Sequence, residues 1–322
     1  MRVSVGNLAL VVLAYLYSYA GALPTRQLVV TRSTSTNVPF FPYYGPPISD
    51  KDGDLFFHLG GDQYTNATLM RLAHSSWEPT LYKLPTDLQQ TKYQFYEFAV
   101  SPSGDLWMVL NAGPDLLAVG FDSSGQETGR TKLELSLTDV DIADVVALGN
   151  DVLFCYGVTV GKDAGHSFAA FLDSTTGKNI RMRRDIFTSA KAGVKEQPWV
   201  HSGVASLGDD GNIYVLRESE VLAISPAGEV VKRIKFIKPI QNLTPISVRA
   251  SLGYAAVWLN STREGRSENS YLVLDLSSGK TLGWYVPPPE IKAPAMSFSR
   301  NDGFEFLVIK NGKLSVTEAD LR

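Results

Sequence analysis

The stretch SPSGDLWMV, residues Ser101 to Val109, decides how this chain folds. Its polar half closes on Gly104, the residue type that accepts the positive φ at the end of a tight turn. Its apolar half, opening on Leu106 and Trp107, has the aromatic and branched composition of a strand. The same grammar returns at SDKDGDLFF from Ser49, GDDGNIYVL from Gly208 and SRNDGFEFLV from Ser299. Looser copies stand at LGNDVLFCY from Leu148 and SLGYAAVWL from Ser251. The punctuating positions are Gly53, Gly104, Asn150, Gly211, Gly253 and Gly303, roughly 40 to 60 residues apart, and repeats of that length are propeller blades.

A second motif follows one strand after the first: VGFDSSGQ from Val119, FLDSTTGK from Phe171, AISPAGE from Ala223 and VLDLSSGK from Val273. Asp and Ser oxygens cap backbone N–H groups in such turns and Gly supplies the left-handed position. One unit therefore reads strand, Gly turn, strand, variable loop, strand, Asp/Ser/Gly turn, strand. The expectation is an all-β, six-bladed propeller of four-stranded antiparallel blades. In the last unit, after Phe304–Lys310 and Leu314–Ala319, the chain ends without a fourth strand. The orphan strand-like run Gln27–Thr31, followed by a polar and Pro-rich tether through Pro47, is expected to fill that place, because pairing removes an exposed sheet edge.

The chain divides into residues 1–22, 23–47 and 48–322: a leader, the closing strand with its tether, and the propeller. Arg2, the apolar run Leu8–Tyr17 and the small-x-small Ala20-Gly21-Ala22 have the form of a cleaved export signal. The expected location is secreted or periplasmic. No later segment is apolar enough to span a membrane, so the mature protein is expected to have no span. Cys155 is the sole cysteine, which excludes an intramolecular disulfide. A formal net charge of −3 provides no global positive field for a nucleic acid.

The turn-Gly-x-Leu/Ile-aromatic signature of SGDLW, DGDLF and DGNIY resembles that of six-bladed propellers related to NHL-repeat and SMP-30/gluconolactonase-like proteins, within the TolB-like group. That likeness implies the fold and places function on the top face, where each blade's first strand begins beside the axis. For the lactonase-type enzymes of the group it implies a calcium-like ion held by axial carboxylate and Asn oxygens. Glu97, Asp144 and Asn242 partly imitate such ligands, while the Glu-Gly-Pro start of that enzyme group is absent.

The top-face ligand-binding candidates are Tyr43, Tyr96, Glu97, Asp144, Arg184, Trp199, His201 and Asn242. Tyr43, Tyr96 and Trp199 are also candidate stacking platforms for a sugar. Arg181–Ser202, carrying Arg181, Arg183, Arg184, Lys191 and Lys195, reads as a long inter-blade loop crossing that face, suited to an anionic ligand or an acidic protein segment. Asn260–Ser270 reads as a polar loop tip. His58, His74, His166 and His201 show no ligand-type spacing, and no Gly-x-Ser-x-Gly elbow precedes a helix. The leading function is a non-enzymatic propeller, without a resident cofactor, binding an unknown protein or a small anionic ligand. The alternative is a metal-dependent lactonase or hydrolase with calcium on Glu97, Asp144 and Asn242.

Overall fold

The turns set the architecture. In the computed structural model Gly53, Gly104, Gly211 and Gly253 all have φ between 77° and 88° and close the first hairpin of their blades. The structure describes residues 25–39, 43–59, 68–89, 94–112, 115–137, 139–149, 151–187, 203–239, 242–263, 266–287, 295–298 and 303–320. Asn150 lies outside them. Gly303 departs from the expected turn role, since it opens a strand and pairs with Asp320.

Two N-terminal strands, β1 (Thr25–Gln27) and β2 (Val29–Pro39), precede the blades. Blade 1 comprises β3 (Tyr43–Ser49), β4 (Leu55–Leu59), β5 (Thr68–Leu72) and β6 (Pro79–Lys83). Blade 2 comprises β7 (Gln94–Val100), β8 (Leu106–Ala112), β9 (Asp115–Phe121) and β10 (Glu127–Leu133). Blade 3 comprises β11 (Val140–Gly149), β12 (Val152–Thr159), β13 (Ser167–Asp173) and β14 (Asn179–Arg184). Blade 4 comprises β15 (Ala205–Leu207), β16 (Ile213–Arg217), β17 (Glu220–Ile224) and β18 (Val230–Lys235). Blade 5 comprises β19 (Thr244–Ser251), β20 (Tyr254–Arg263), β21 (Arg266–Asp275) and β22 (Thr281–Val286). Blade 6 has β23 (Ala295–Phe298), β24 (Gly303–Lys310) and β25 (Lys313–Asp320).

Blade 6 is completed by β2, antiparallel to β25, so the ring closes through the N-terminal segment as expected. The assignment of Gln27 is corrected. Gln27 belongs to β1, which pairs in parallel with β22 and adds a fifth strand to blade 5. Much of the expected tether is strand too, because β2 runs to Pro39 and β3 begins at Tyr43. The segment thus binds two blades. Leu28 is buried in the seam between blades 5 and 6, and Val38 in the seam between blades 6 and 1.

The core is six wedges rather than one mass. Each apolar cluster joins side chains of successive blades, as when Phe154 and Phe171 of blade 3 pack with Val215 and Leu222 of blade 4. Middle strands are buried on both faces, while outer strands such as β18 alternate, as expected when each sheet packs between two others. Around the axis the first strands β3, β7, β11, β15, β19 and β23 touch in a closed ring.

The second motif joins neighbouring blades. Asp122 Oδ1 accepts from the N–H groups of Ser124 and Gln126, and Asp275 Oδ1 from that of Ser278. The carbonyls of these turns then receive side chains from the preceding blade. Arg71 donates to Ser123 O, Thr131 to Thr175 O, Arg181 to Pro226 O and Lys232 to Leu276 O.

That girdle corrects the reading of Arg181–Ser202 as a loop throughout. Residues 179–184 are β14, where Arg181 reaches Pro226 O and Arg183 pairs with Glu229, both in blade 4. Residues 188–202 lie outside the described residues. Asn260–Ser270 is likewise no loose tip: β20 and β21 pair in register up to Arg263 and Arg266.

Candidate functional site

A repeated irregularity in the first strands builds the axial centre. Register slips by one residue between Phe95 and Glu97 on β7, between Ile142 and Asp144 on β11, and between Pro245 and Ser247 on β19. A bulge re-aims the side chain that follows it. Glu97, Asp144 and Ser247 therefore stand at matching places on three blades, and Arg249 follows two residues along β19.

Glu97, Asp144 and Arg249 are 8%, 4% and 7% exposed, although they carry charges. Groups so buried persist only when paired or hydrogen-bonded. Asp144 Oδ1 accepts from Val145 N at 2.9 Å and its Oδ2 from Ala205 N of blade 4 at 2.6 Å. Glu97 Oε1 accepts from Phe98 N at 3.0 Å. Arg249 crosses from blade 5 toward blade 1, donating through Nε to Pro47 O at 3.0 Å and through Nη1 to Val248 O at 3.0 Å.

These three groups feel each other's charge. Burial and then the charge of Asp144 push the Glu97 carboxyl well above the carboxylate range, against the Phe98 N–H and Arg249. Burial raises Asp144 too, opposed first by the Ala205 N–H and then by Arg249. For Arg249, burial acts downward and both carboxylates act upward. The centre is a near-balanced set of charges in a low-dielectric ring.

Other candidates lie elsewhere. Asn242 is exposed in the turn before β19. Arg184 is exposed on β14, the outermost strand of blade 3. Tyr43 and Tyr96 lie on β3 and β7, Tyr96 at the bulge itself. Trp199 and His201 lie outside the described residues. His58 is buried and stacks on Phe95, with ring centroids 4.7 Å apart, and desolvation draws it down to about 4. Cys155 is buried, its thiol pushed up to about 12 by desolvation and then by Asp144, which makes it inert. Near Asp144 a small top-face recess is lined by Tyr156, Val204, Leu216, Arg217, Glu218 and Pro245. Arg217 lies over the ring of Phe187, 5.1 Å from its centroid.

Sequence reasoning missed Arg249 and Ser247. Both sit in ISVRAS, which reads as an ordinary alternating strand, and no local signal marks the bulge after Pro245.

The calcium-like ion that the lactonase resemblance implies does not fit these side chains. Such an ion takes six to eight hard oxygens, yet Asn242 is exposed in a turn while the two carboxyl groups are buried, and the charge of the buried Arg249 guanidinium acts on both. Among the described residues no group of three His, Cys, Asp or Glu side chains is placed to hold a metal.

No family model matches the chain, and no curated protein matches it. Solved structures share its fold. A luciferin-regenerating enzyme is 10% identical with a TM-score of 0.54, over 90% of this chain and 95% of that one. Regucalcin, a calcium-binding protein from Agrobacterium tumefaciens, is 13% identical with a TM-score of 0.52, over 92% and 97%. The WD40 domain of Pan2 from Neurospora crassa is 9% identical with a TM-score of 0.52, over 93% and 98%. An enzyme, a calcium-binding protein and a WD40 domain thus share the architecture, and at these identities the likeness concerns fold alone.

Proposed function

We propose that the protein is an exported, non-enzymatic β-propeller that binds a small polar ligand on its top face, beside the axis around which the first strands pack. The observation that carries this reading is the convergence of Glu97, Asp144 and Arg249 from three separate blades. Such a centre combines carboxyl oxygens, a guanidinium held in place by backbone carbonyls and little net charge, which suits a polar ligand better than a strongly anionic one. The anion-docking surface expected around Arg181 loses support, since Arg181 and Arg183 are engaged with blade 4.

The test is thermal unfolding of residues 23–322 in metal-free buffer with millimolar monosaccharides, hydroxy acids and sugar lactones. A native-state ligand raises stability by mass action. At least one compound is expected to raise the midpoint, and Asp144→Asn is expected to lose the shift. Release of acid from a lactone would overturn the non-enzymatic reading in favour of the hydrolase. Export is tested by secreting the full chain and sequencing the product, which is expected to begin at Leu23.

The lactonase reading is kept as the second because Glu97 and Asp144 sit on adjacent first strands, and the structurally similar regucalcin is a calcium-binding protein. The position of Arg249 weighs against it.

A further inference from the structure

We propose that the guanidinium of Arg249 is the resident cation of the axial centre, so that the site works without a divalent metal ion. This deepens the axial-site reading above and rests on it.

The geometry carries the inference. Blades 2 and 3 each place a carboxylate just past the first-strand bulge, whereas blade 5 places Ser247 there and the cation Arg249 two residues on. Arg249 is buried like Glu97 and Asp144, in the same ring of touching first strands, and its charge acts on both. Its head is held by carbonyls of blades 1 and 5, a planar fork with five donors and a delocalised charge. A buried guanidinium needs counter-charge and buried carboxyl groups lose a proton only beside positive charge, and the three groups supply this to one another.

The carboxylates are also committed. Both oxygens of Asp144 and Oε1 of Glu97 accept backbone N–H groups, which fixes them toward the protein rather than toward a shared ion. A dication entering beside Arg249 would face a fixed like charge at low dielectric. Without that cation the balance reverses: two buried carboxylates and the 0% exposed Ser247, whose Oγ has no hydrogen-bond partner, would then offer oxygens alone.

The experiment titrates calcium chloride and manganese chloride, each alone, into residues 23–322, reading heat and unfolding midpoint. The wild-type protein is expected to show no saturable heat and no shift. Saturable binding that disappears in Glu97→Gln would overturn the proposal. Arg249→Ser is expected to gain stabilisation of several degrees from either cation, and Arg249→Ser with Glu97→Gln and Asp144→Asn to lose it. An Arg249→Ser protein that folds and ignores both cations would also overturn the proposal. Should Arg249→Ser fold only with metal present, the proposal is supported. Should it not fold at all, Arg249→Lys decides: it keeps a positive charge and is expected to ignore calcium, and calcium binding by it overturns the proposal. Cations alone test this inference and ligands in metal-free buffer test the function above, so the two fail separately.

Discussion

Gly177 shows how much of the ring rests on single residues. Its φ is +73°, and a Cβ there would lie 1.8 Å from the carbonyl oxygen of Lys132 in the preceding blade. Gly312 has φ +71° with nothing within 4 Å. Gly312→Ala therefore meets backbone strain alone, about 1 kcal/mol, while Gly177→Ala must also separate two blades. The expected outcome is a clearly larger fall in unfolding midpoint for Gly177→Ala, and equal effects would refute the close approach. Charge acts at the same scale. The Glu97 carboxyl, raised by burial and by Asp144, binds a proton in the folded state over a range where the unfolded chain has released it. Stability is therefore expected to fall as pH rises above the ordinary carboxylate range of about 4 to 5 toward neutrality and beyond. His58, drawn down to about 4, works the other way and loses stability as pH falls below about 6.5. Glu97→Gln should flatten the alkaline limb of a midpoint-against-pH curve and leave the acid limb, and an unchanged alkaline limb would place that titration elsewhere.

Among the elements, the N-terminal segment has the most to explain, because it serves two sheets with opposite pairing. Leu28 and Val38 are each 2% exposed, and they sit in different seams. Truncating a buried Leu to Ala typically costs about 2 to 5 kcal/mol, so Leu28→Ala should destabilise strongly while exposed Ser35→Ala stays near neutral. Calorimetry of the pair checks this, and matching midpoints would mean that β1 and β2 are not docked. The closing role of this segment was legible in its sequence, since QLVVT is a strand without a partner and the last unit lacks one. The split at Leu28 was not. A polar run such as TRSTSTN gives no periodicity when only one edge is paired and most side chains are solvated, so it read as a tether. The basic stretch of β14 misled for a related reason: its arginines look like a docking surface until the turn carbonyls of blade 4 are placed beside them.

For the whole molecule, closure is what makes six weak sheets one cooperative body, and it depends on joining the chain's ends. Ser33 and Thr317 are cross-strand partners whose hydroxyl oxygens are 3.1 Å apart. A Ser33→Cys/Thr317→Cys disulfide would link these distant positions, and Cys155 is too buried to compete. Cross-linking a long loop restricts the unfolded chain by about 4 kcal/mol or more. The oxidised variant is expected to unfold several degrees above its reduced form, and failure to form the bond in the native monomer would refute this pairing.

The number of blades, their four-strand plan and the need for a closing strand were determined by sequence alone, because turns such as SPSGD and DSSGQ are made of contacts within a few residues. Tertiary structure alone decided the axial centre. Glu97, Asp144 and Arg249 are far apart in the chain and share no motif. What brings them together is a one-residue slip in the first strands and the angle between blades, and a bulge breaks the alternation by which a strand's inward face is read.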